Sequence, residues 1–216
     1  MSQLALFDLD RTILKIDSAL SWMKFQRRRG LASRRMLAKA IGWSALYKLN
    51  LLDMDRLATA LTLDLRGQPE PRMRTLACEW FAGDIAHQVS PRARAAIERH
   101  REHGDIIVLA TGSSQYAAEP AAALLGIDHI VCTRIESQDG VFTGRLAAKG
   151  YGHYKVAQAQ QLATRLGRSL AQATFYSDSF NDAPLLLAVK HPVAVNPDRA
   201  LRKHAARAGW RTEAWA

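Results

Sequence analysis

The residues with the clearest chemical potential lie near the start of the chain. The apolar run Leu4-Ala5-Leu6-Phe7, of strand length, ends in Asp8-Leu9-Asp10-Arg11-Thr12. Side chains two apart at the end of a strand point the same way, so Asp8 and Asp10 should converge on one small volume. Two adjacent carboxylates raise one another's pKa unless a cation lies between them or one keeps its proton, and an enzyme can use either arrangement. Taken alone, the pattern also describes a strand that ends in a polar loop. Three further polar groups decide between these readings: Thr111-Gly112-Ser113-Ser114, Lys155, and Asp178 with Asp182 four residues on.

The elements that must position these residues alternate. Short apolar runs at Ile106–Ala110, Ile130–Cys132, Thr174–Tyr176 and Pro192–Val195 read as strands, with Val141–Leu146 after Asp139-Gly140 as a small antiparallel excursion. Helical patterns fall between them: Gln115–Leu125 closed by Gly126, His153–Leu166 closed by Gly167, Ala183–Val189, and Pro197–Ala208. Strands alternating with helices indicate a parallel sheet covered on both faces, where ligands bind at the carboxyl ends of the strands. Each polar cluster follows a predicted strand. The stretch from Ser18 to Glu102 reads as helices, with Ser18, Ser33 and Asp53 as candidate caps. Met73, Leu76, Ala77, Trp80 and Phe81 mark one buried face. The expected fold is therefore α/β, a Rossmann-like parallel-sheet core (1–15 and 89–216) with a helical cap (16–88) inserted after the first strand.

Composition bounds the rest. At 216 residues, 48% hydrophobic and 23% charged, the chain can bury a full core and carries no disorder signal. No run approaches the roughly 20 apolar residues of a membrane span. Cys78 and Cys132 form no CxxC pattern and suit reduced thiols, which points to the cytoplasm. The net charge of +10 is uneven: Ser18 to Leu52 holds no acid but contains Lys24, Arg27, Arg28, Arg29, Arg34, Arg35, Lys39 and Lys48. This stretch reads first as a solvated cap face that steers anions, with an anionic membrane as the lesser alternative and nucleic acid not expected. Trp22, Phe25, Trp43 and Tyr47 read first as core, with a cap-pocket lining as the alternative. His100 and His103 share a helix face beside Arg99 and Arg101 and are expected to be exposed.

In order, Asp8-x-Asp10-x-Thr12, Thr111, Lys155 and Asp178-x-x-x-Asp182 resemble the four motifs of the haloacid dehalogenase-like phosphatases. The position of the cap resembles the branch containing the phosphoserine phosphatases. Tyr176–Leu186 and His191–Asp198 are similar to bacterial hydrolases of that branch. The resemblance implies a phosphoric monoester hydrolase working through an aspartyl-phosphate. Asp8 would be the nucleophile, ionised, and Asp10 the general acid and base, protonated for part of the cycle. Mg²⁺, or Mn²⁺ in its place, would take Asp8, the Asp10 carbonyl and Asp178. Thr111 and the amides of Gly112 and Ser113 at a helix start would bind phosphate, and Lys155 would add fixed positive charge. Thr12 would orient the loop, and Asp182 would hold either a metal-bound water or Lys155. Ser177 departs from the glycine usual before the fourth-motif Asp, which should stiffen the loop slightly.

The substrate reading rests on the cap. Asp17 stands where phosphoserine phosphatases carry a Glu that contacts the substrate's amino group. Their carboxylate-binding Phe-x-x-Ser-Leu-Arg pattern is missing, with Leu63-Asp64-Leu65-Arg66-Gly67 the nearest stretch. This suggests a small phosphorylated metabolite with an ammonium group and no carboxylate, an amino-alcohol phosphate such as histidinol phosphate, with phosphoserine as the other candidate. The alternatives are a phosphotransferase or phosphomutase using the same intermediate, and a non-enzymatic membrane or nucleic-acid adaptor using the basic cap.

Overall fold

A computed structural model describes residues 2–48, 51 and 53–215, without the side chains of Tyr47 and Lys48. Strand β1 (Leu4–Phe7) is buried along its whole length, as its unbroken apolar sequence requires in a sheet covered on both faces. The helical segment follows: α1 (Ser18–Arg28), α2 (Arg34–Lys48), α3 (Met54–Leu63) and α4 (Glu70–Trp80). After it come α5 (Pro91–Glu102), β2 (Ile106–Ser114), α6 (Gln115–Leu125), β3 (His129–Gln138), β4 (Val141–Ala148) and α7 (Gly152–Arg165). The chain ends with β5 (Thr174–Ser177), α8 (Ala183–Ala188), β6 (His191–Val195), α9 (Arg199–Ala208) and β7 (Arg211–Glu213).

The sheet order is β4-β3-β2-β1-β5-β6-β7. Only the β3–β4 pair is antiparallel. It turns at Asp139 and Gly140, both at positive φ (51° and 75°), as the Asp-Gly hairpin signal predicts. From β1 the chain builds outward through β2 and β3, then returns to add β5 on the other side. The topological switch thus lies between β1 and β5, where α/β sheets bind ligands.

Alternation along the strands divides the core. Leu4, Leu6, Val108, Phe175 and Ala194 pack with Ala159 and Leu162 of α7, Leu185 of α8 and Leu201 of α9. Ala5, Phe7, Leu109, Tyr176 and Val195 face Ala93, Ala96 and Ile97 of α5 and the alanines of α6. Phe25, Trp80 and Phe81 join this second cluster, with Trp22 packed against it, so α1 and the end of α4 are built into the core. Core packing therefore accounts for Trp22 and Phe25, while the Tyr47 side chain lies outside the described residues.

Several boundaries differ from the sequence reading. Asp17 caps α1, its Oδ1 accepting from the Leu20 amide at 2.9 Å, because Ser18 is already the first helical residue. Asp198 caps α9 by accepting from the Leu201 amide at 2.7 Å, so Pro197 lies outside that helix. β2 runs on to Ser114 through an irregularity after Ala110. β7 and the buried Trp215, which stacks toward Tyr176, were not foreseen. His100 is half-buried rather than exposed, bonded to Asp105 at 2.7 Å and to the Tyr176 hydroxyl at 2.9 Å. Cys78 and Cys132 are both free thiols. Among the described residues no helix is long and apolar enough to cross a membrane.

The packing of α1 and α4 on the sheet can be tested at Trp80, which is 2% exposed and donates its indole N–H to Ser21 Oγ at 3.1 Å. Trp80→Ala should cost about 3–5 kcal/mol in urea unfolding, with Trp80→Phe in between.

Candidate active site

The first motif forms one tight turn at the end of β1. The Asp8 amide extends the ladder by donating to the Tyr176 carbonyl at 2.9 Å. The chain then reverses with Arg11 at φ 56°, and Leu14 N–H closes the turn on the Leu9 carbonyl at 2.8 Å. Thr12 is fully buried, and its hydroxyl has no hydrogen-bond partner among the described residues. Asn196 at the end of β6 ties the turn down, its side-chain amide donating to the Arg11 carbonyl at 2.9 Å.

Lys155 rises from the first turn of α7 to Asp8. Its Nζ donates to Asp8 Oδ1 at 3.2 Å and to Asp182 Oδ1 at 2.6 Å, with all three residues buried. Of the two roles expected for Asp182, holding Lys155 is the one found. The second Asp182 oxygen accepts from Ser177 Oγ at 2.7 Å. A serine in place of the usual glycine thus supplies a hydrogen bond within this chain of contacts.

Asp10 takes a separate set of partners. Its Oδ1 accepts from the Ser18 amide at 2.5 Å and its Oδ2 from Ser113 Oγ at 2.8 Å, so its side chain faces the start of α1. Asp17 lies one residue before, its Oδ2 accepting from Ser44 Oγ of α2 at 3.0 Å. Thr111 is buried at the end of β2, and its Oγ1 accepts from the Ser113 amide at 3.1 Å. Gly112 and Ser113 therefore present their amides from the end of the strand, since α6 begins only at Gln115.

Sequence reasoning missed Thr133, Gly150 and Asp198. The Thr133 hydroxyl donates to the Gly112 carbonyl at 2.7 Å and accepts from the Gly150 amide at 3.1 Å, joining the Thr111 strand end to the segment leading into Lys155. A Cβ at Gly150 would lie 2.4 Å from the Thr111 carbonyl oxygen, so only glycine permits this approach. Asp198 accepts from the Phe180 amide at 2.9 Å, and its own amide donates to the Asp178 carbonyl at 2.8 Å, holding the Asp178 loop. A Gly four residues after a strand pattern, and an acid just after Asn-Pro, were the available signals, and neither is specific.

Comparison with known proteins decides the family. The model of the haloacid dehalogenase-like hydrolases matches residues 5–187. The chain belongs to this family. A histidinol-phosphatase of Neisseria meningitidis is 31% identical over 216 residues, covering 97% of each chain. A phosphoserine phosphatase of Mycobacterium tuberculosis is 32% identical over 219 residues, covering 95% of this chain and 68% of that one. A Bordetella pertussis protein of unknown function has a solved structure that superposes with a TM-score of 0.87, at 30% identity and 99% coverage of both. As a haloacid dehalogenase-like hydrolase with phosphatase relatives, the protein is a phosphoric monoester hydrolase.

The hydrolase site is rich in buried negative charge. Burial pushes the Asp8 carboxyl up from 3.8 to about 7; Lys155 opposes the rise, while Asp182 and Asp10 add to it. Burial and then the charge of Asp17 push Asp10 up to about 6, against the hydrogen bonds from Ser18 and Ser113. Both carboxyls are thus raised, Asp8 with a lysine that it shares with Asp182 and Asp10 with donors from Ser18 and Ser113. Burial and then Asp8, Asp182 and Asp10 raise Asp178 well above the usual range. Burial works against the charge on Lys155, yet Asp182 and Asp8 outweigh it and hold its pKa up.

These residues suit a hard cation. Asp8, Asp182 and Asp10 all lie close enough to Asp178 to raise its carboxyl, so the site gathers carboxylate oxygens. No three His, Cys, Asp or Glu side chains among the described residues are arranged to enclose a metal, so part of any coordination shell would come from backbone, phosphate and water.

A stability prediction follows from the raised acids. Between about pH 4 and pH 7 the folded chain binds more protons than the unfolded one, so stability should fall as pH rises through that window. The Tm of metal-free protein should drop from about pH 5 to about pH 7.5. Added Mg²⁺ should raise Tm more at the higher pH, where the carboxylates are ionised, and calorimetry on chelated and Mg²⁺-loaded samples checks both.

Proposed function

We propose that the protein hydrolyses a small phosphorylated metabolite through an aspartyl-phosphate on Asp8. The observation that carries this reading is the Lys155–Asp8–Asp182 cluster, set beside Asp10 at the switch between β1 and β5. The core would be residues 1–15 and 89–216 and the cap 16–88. The free thiols Cys78 and Cys132 suit the reducing cytoplasm.

Asp8 attacks phosphorus through the oxygen that Lys155 does not hold, and the bond to the leaving alkoxide breaks in line. Asp10, with a carboxyl raised to about 6, gives its proton to that alkoxide and then takes one from the water that attacks the phosphoaspartate. Thr111 and the amides of Gly112 and Ser113 bind the phosphoryl oxygens, the Ser113 amide leaving Thr111 Oγ1 to do so. Lys155 favours the Asp8 anion against the effect of burial and draws the phosphate in. Mg²⁺, with Mn²⁺ as a substitute, suits the oxygens of Asp8, Asp178 and the Asp10 carbonyl, and when bound it would neutralise charge on the transferred group.

Hydrolysis of a generic aryl phosphate checks the chemistry. Asp8→Asn should lose roughly three orders of magnitude or more of kcat, and chelation should silence the wild type. Full metal-dependent activity in the Asn variant would mean that Asp8 is not the nucleophile.

For the substrate, we infer an amino-alcohol phosphate such as histidinol phosphate, with phosphoserine second. Asp17 places a carboxylate near enough to Asp10 to shift it, at the start of α1. Arg66, in the stretch nearest the carboxylate-binding pattern, is exposed and packed along Gly144 of β4. Asp17→Asn preserves the helix cap but removes the charge. It should raise KM for amino-alcohol phosphates about tenfold, the loss expected from one charge-assisted contact. A phosphate-release panel in which phosphoserine is the preferred substrate would sink this choice.

A further inference from the structure

We propose that the hydroxyls of Ser113 and Ser18 are positioning groups that make Oδ2 of Asp10 the oxygen through which this residue exchanges its proton. The proposal rests on Asp10 being the general acid and base. Oδ1 of Asp10 accepts from the Ser18 amide at 2.5 Å, a backbone donor at the first residue of α1. Oδ2 accepts from Ser113 Oγ at 2.8 Å, and Ser113 Oγ lies in turn 3.1 Å from Ser18 Oγ. The two oxygens therefore meet different chemistry. An amide can only donate, whereas a hydroxyl donates one hydrogen bond and also accepts. Oδ1 is kept as an acceptor throughout, and the proton belongs on Oδ2.

The pair of hydroxyls suits both halves of the reaction. While Asp10 is ionised, Ser113 gives its single proton to Oδ2, so Ser18 is the donor to Ser113. With a proton on Oδ2 the run reverses, Oδ2–H donating to Ser113 Oγ and Ser113 to Ser18 Oγ. As the P–O bond to the leaving group breaks, the Oδ2–H bond breaks too. The proton goes to the departing oxygen, and its electron pair stays on the carboxylate, which Ser113 again serves. In the second step Oδ2 takes a proton from water as the water oxygen bonds phosphorus and the Asp8 oxygen departs. Serine hydroxyls commonly bond backbone close by in sequence. Here Ser113 reaches Asp10 across 103 residues and Ser18 reaches Ser113 across 95, joining the end of β2, the first-motif turn and the start of α1. Ser18 is only 2% exposed, so bulk water does not compete for this contact.

Leaving-group dependence tests it, with phenyl phosphate and 4-nitrophenyl phosphate as probes. Both carry an aryl leaving group, but the phenoxide needs a proton on departure far more than the nitrophenoxide does. The quantity compared is kcat/KM, which covers the steps up to loss of the leaving group. Ser113→Ala should lower it about tenfold more for phenyl phosphate than for 4-nitrophenyl phosphate, the loss expected from one hydrogen bond to a charged group. Ser18→Ala should shift the ratio in the same direction by about threefold, since it acts through Ser113. Ser113→Thr keeps the hydroxyl and should restore the wild-type ratio. Equal losses on both substrates in Ser113→Ala, or a ratio that Ser113→Thr does not restore, would overturn the proposal and assign the serine to packing of the loop. Should Ser113→Ala not fold, Ser18→Ala decides alone, an unchanged ratio again overturning it. Asp10→Asn separates this outcome from the reading beneath it. That variant should shift the ratio further than Ser113→Ala, and a wild-type ratio there would mean that Asp10 is not the general acid.

Discussion

Four carboxylates, Asp8, Asp10, Asp178 and Asp182, meet at the ends of β1 and β5 with one buried ammonium among them. Such an arrangement is costly in a low-dielectric interior, and removing one partner of a buried pair is costlier than never having built it. Lys155 therefore cannot be a loosely held side chain. It is tied to Asp182 at 2.6 Å and to Asp8 at 3.2 Å, and the remaining negative charge appears as raised carboxyls at Asp8, Asp10 and Asp178. Positive charge brought from outside would relieve that excess.

Much of the surrounding architecture holds this cluster in register. The parallel ladder fixes Phe7 against Leu109 and Tyr176, which brings the ends of β1, β2 and β5 to one level. Thr133 and the side-chain-free Gly150 let the segment before α7 press against the end of β2, and this sets the height from which Lys155 reaches Asp8. Among the helices between β1 and α5 the attachment is unequal. Trp80 and Phe25 fix α4 and α1 to the core, whereas α2 leans on α1 and reaches the site only through Ser44 and Asp17. Any displacement of α2 is therefore passed to Asp10 through a short run of polar contacts.

The parts legible in the sequence were those with a local signal. Unbroken apolar runs marked the buried strands, Asp139-Gly140 the hairpin, and Gly126 the left-handed end of α6. Asp8, Asp10, Lys155 and Asp178 could be read because each follows a strand or opens a helix in a fixed order. What stayed hidden depends on contacts between distant segments. Asn196 holds Arg11 across 185 residues, and Gly150 is required by backbone of β2 and β3 that no nearby residue announces. Asp17 and Ser18 were exchanged as caps because both are good capping residues, and only the turn geometry after Asp10 decides between them.

Ser177 shows how a departure from a family pattern can be compensated within the structure. With glycine there, the Oδ2 of Asp182 would lose the hydroxyl that donates to it at 2.7 Å. That oxygen is buried, and an Asp182 held only by Lys155 could rotate and change the distance between the ammonium and Asp8. The serine also accepts the Ser179 amide at 3.3 Å, so one hydroxyl fixes the carboxylate and the start of the loop carrying Asp178. Its fully buried position leaves no water to take over either contact. In this chain the residue before Asp178 thus sets the geometry of Lys155, and through Lys155 the charge available to Asp8.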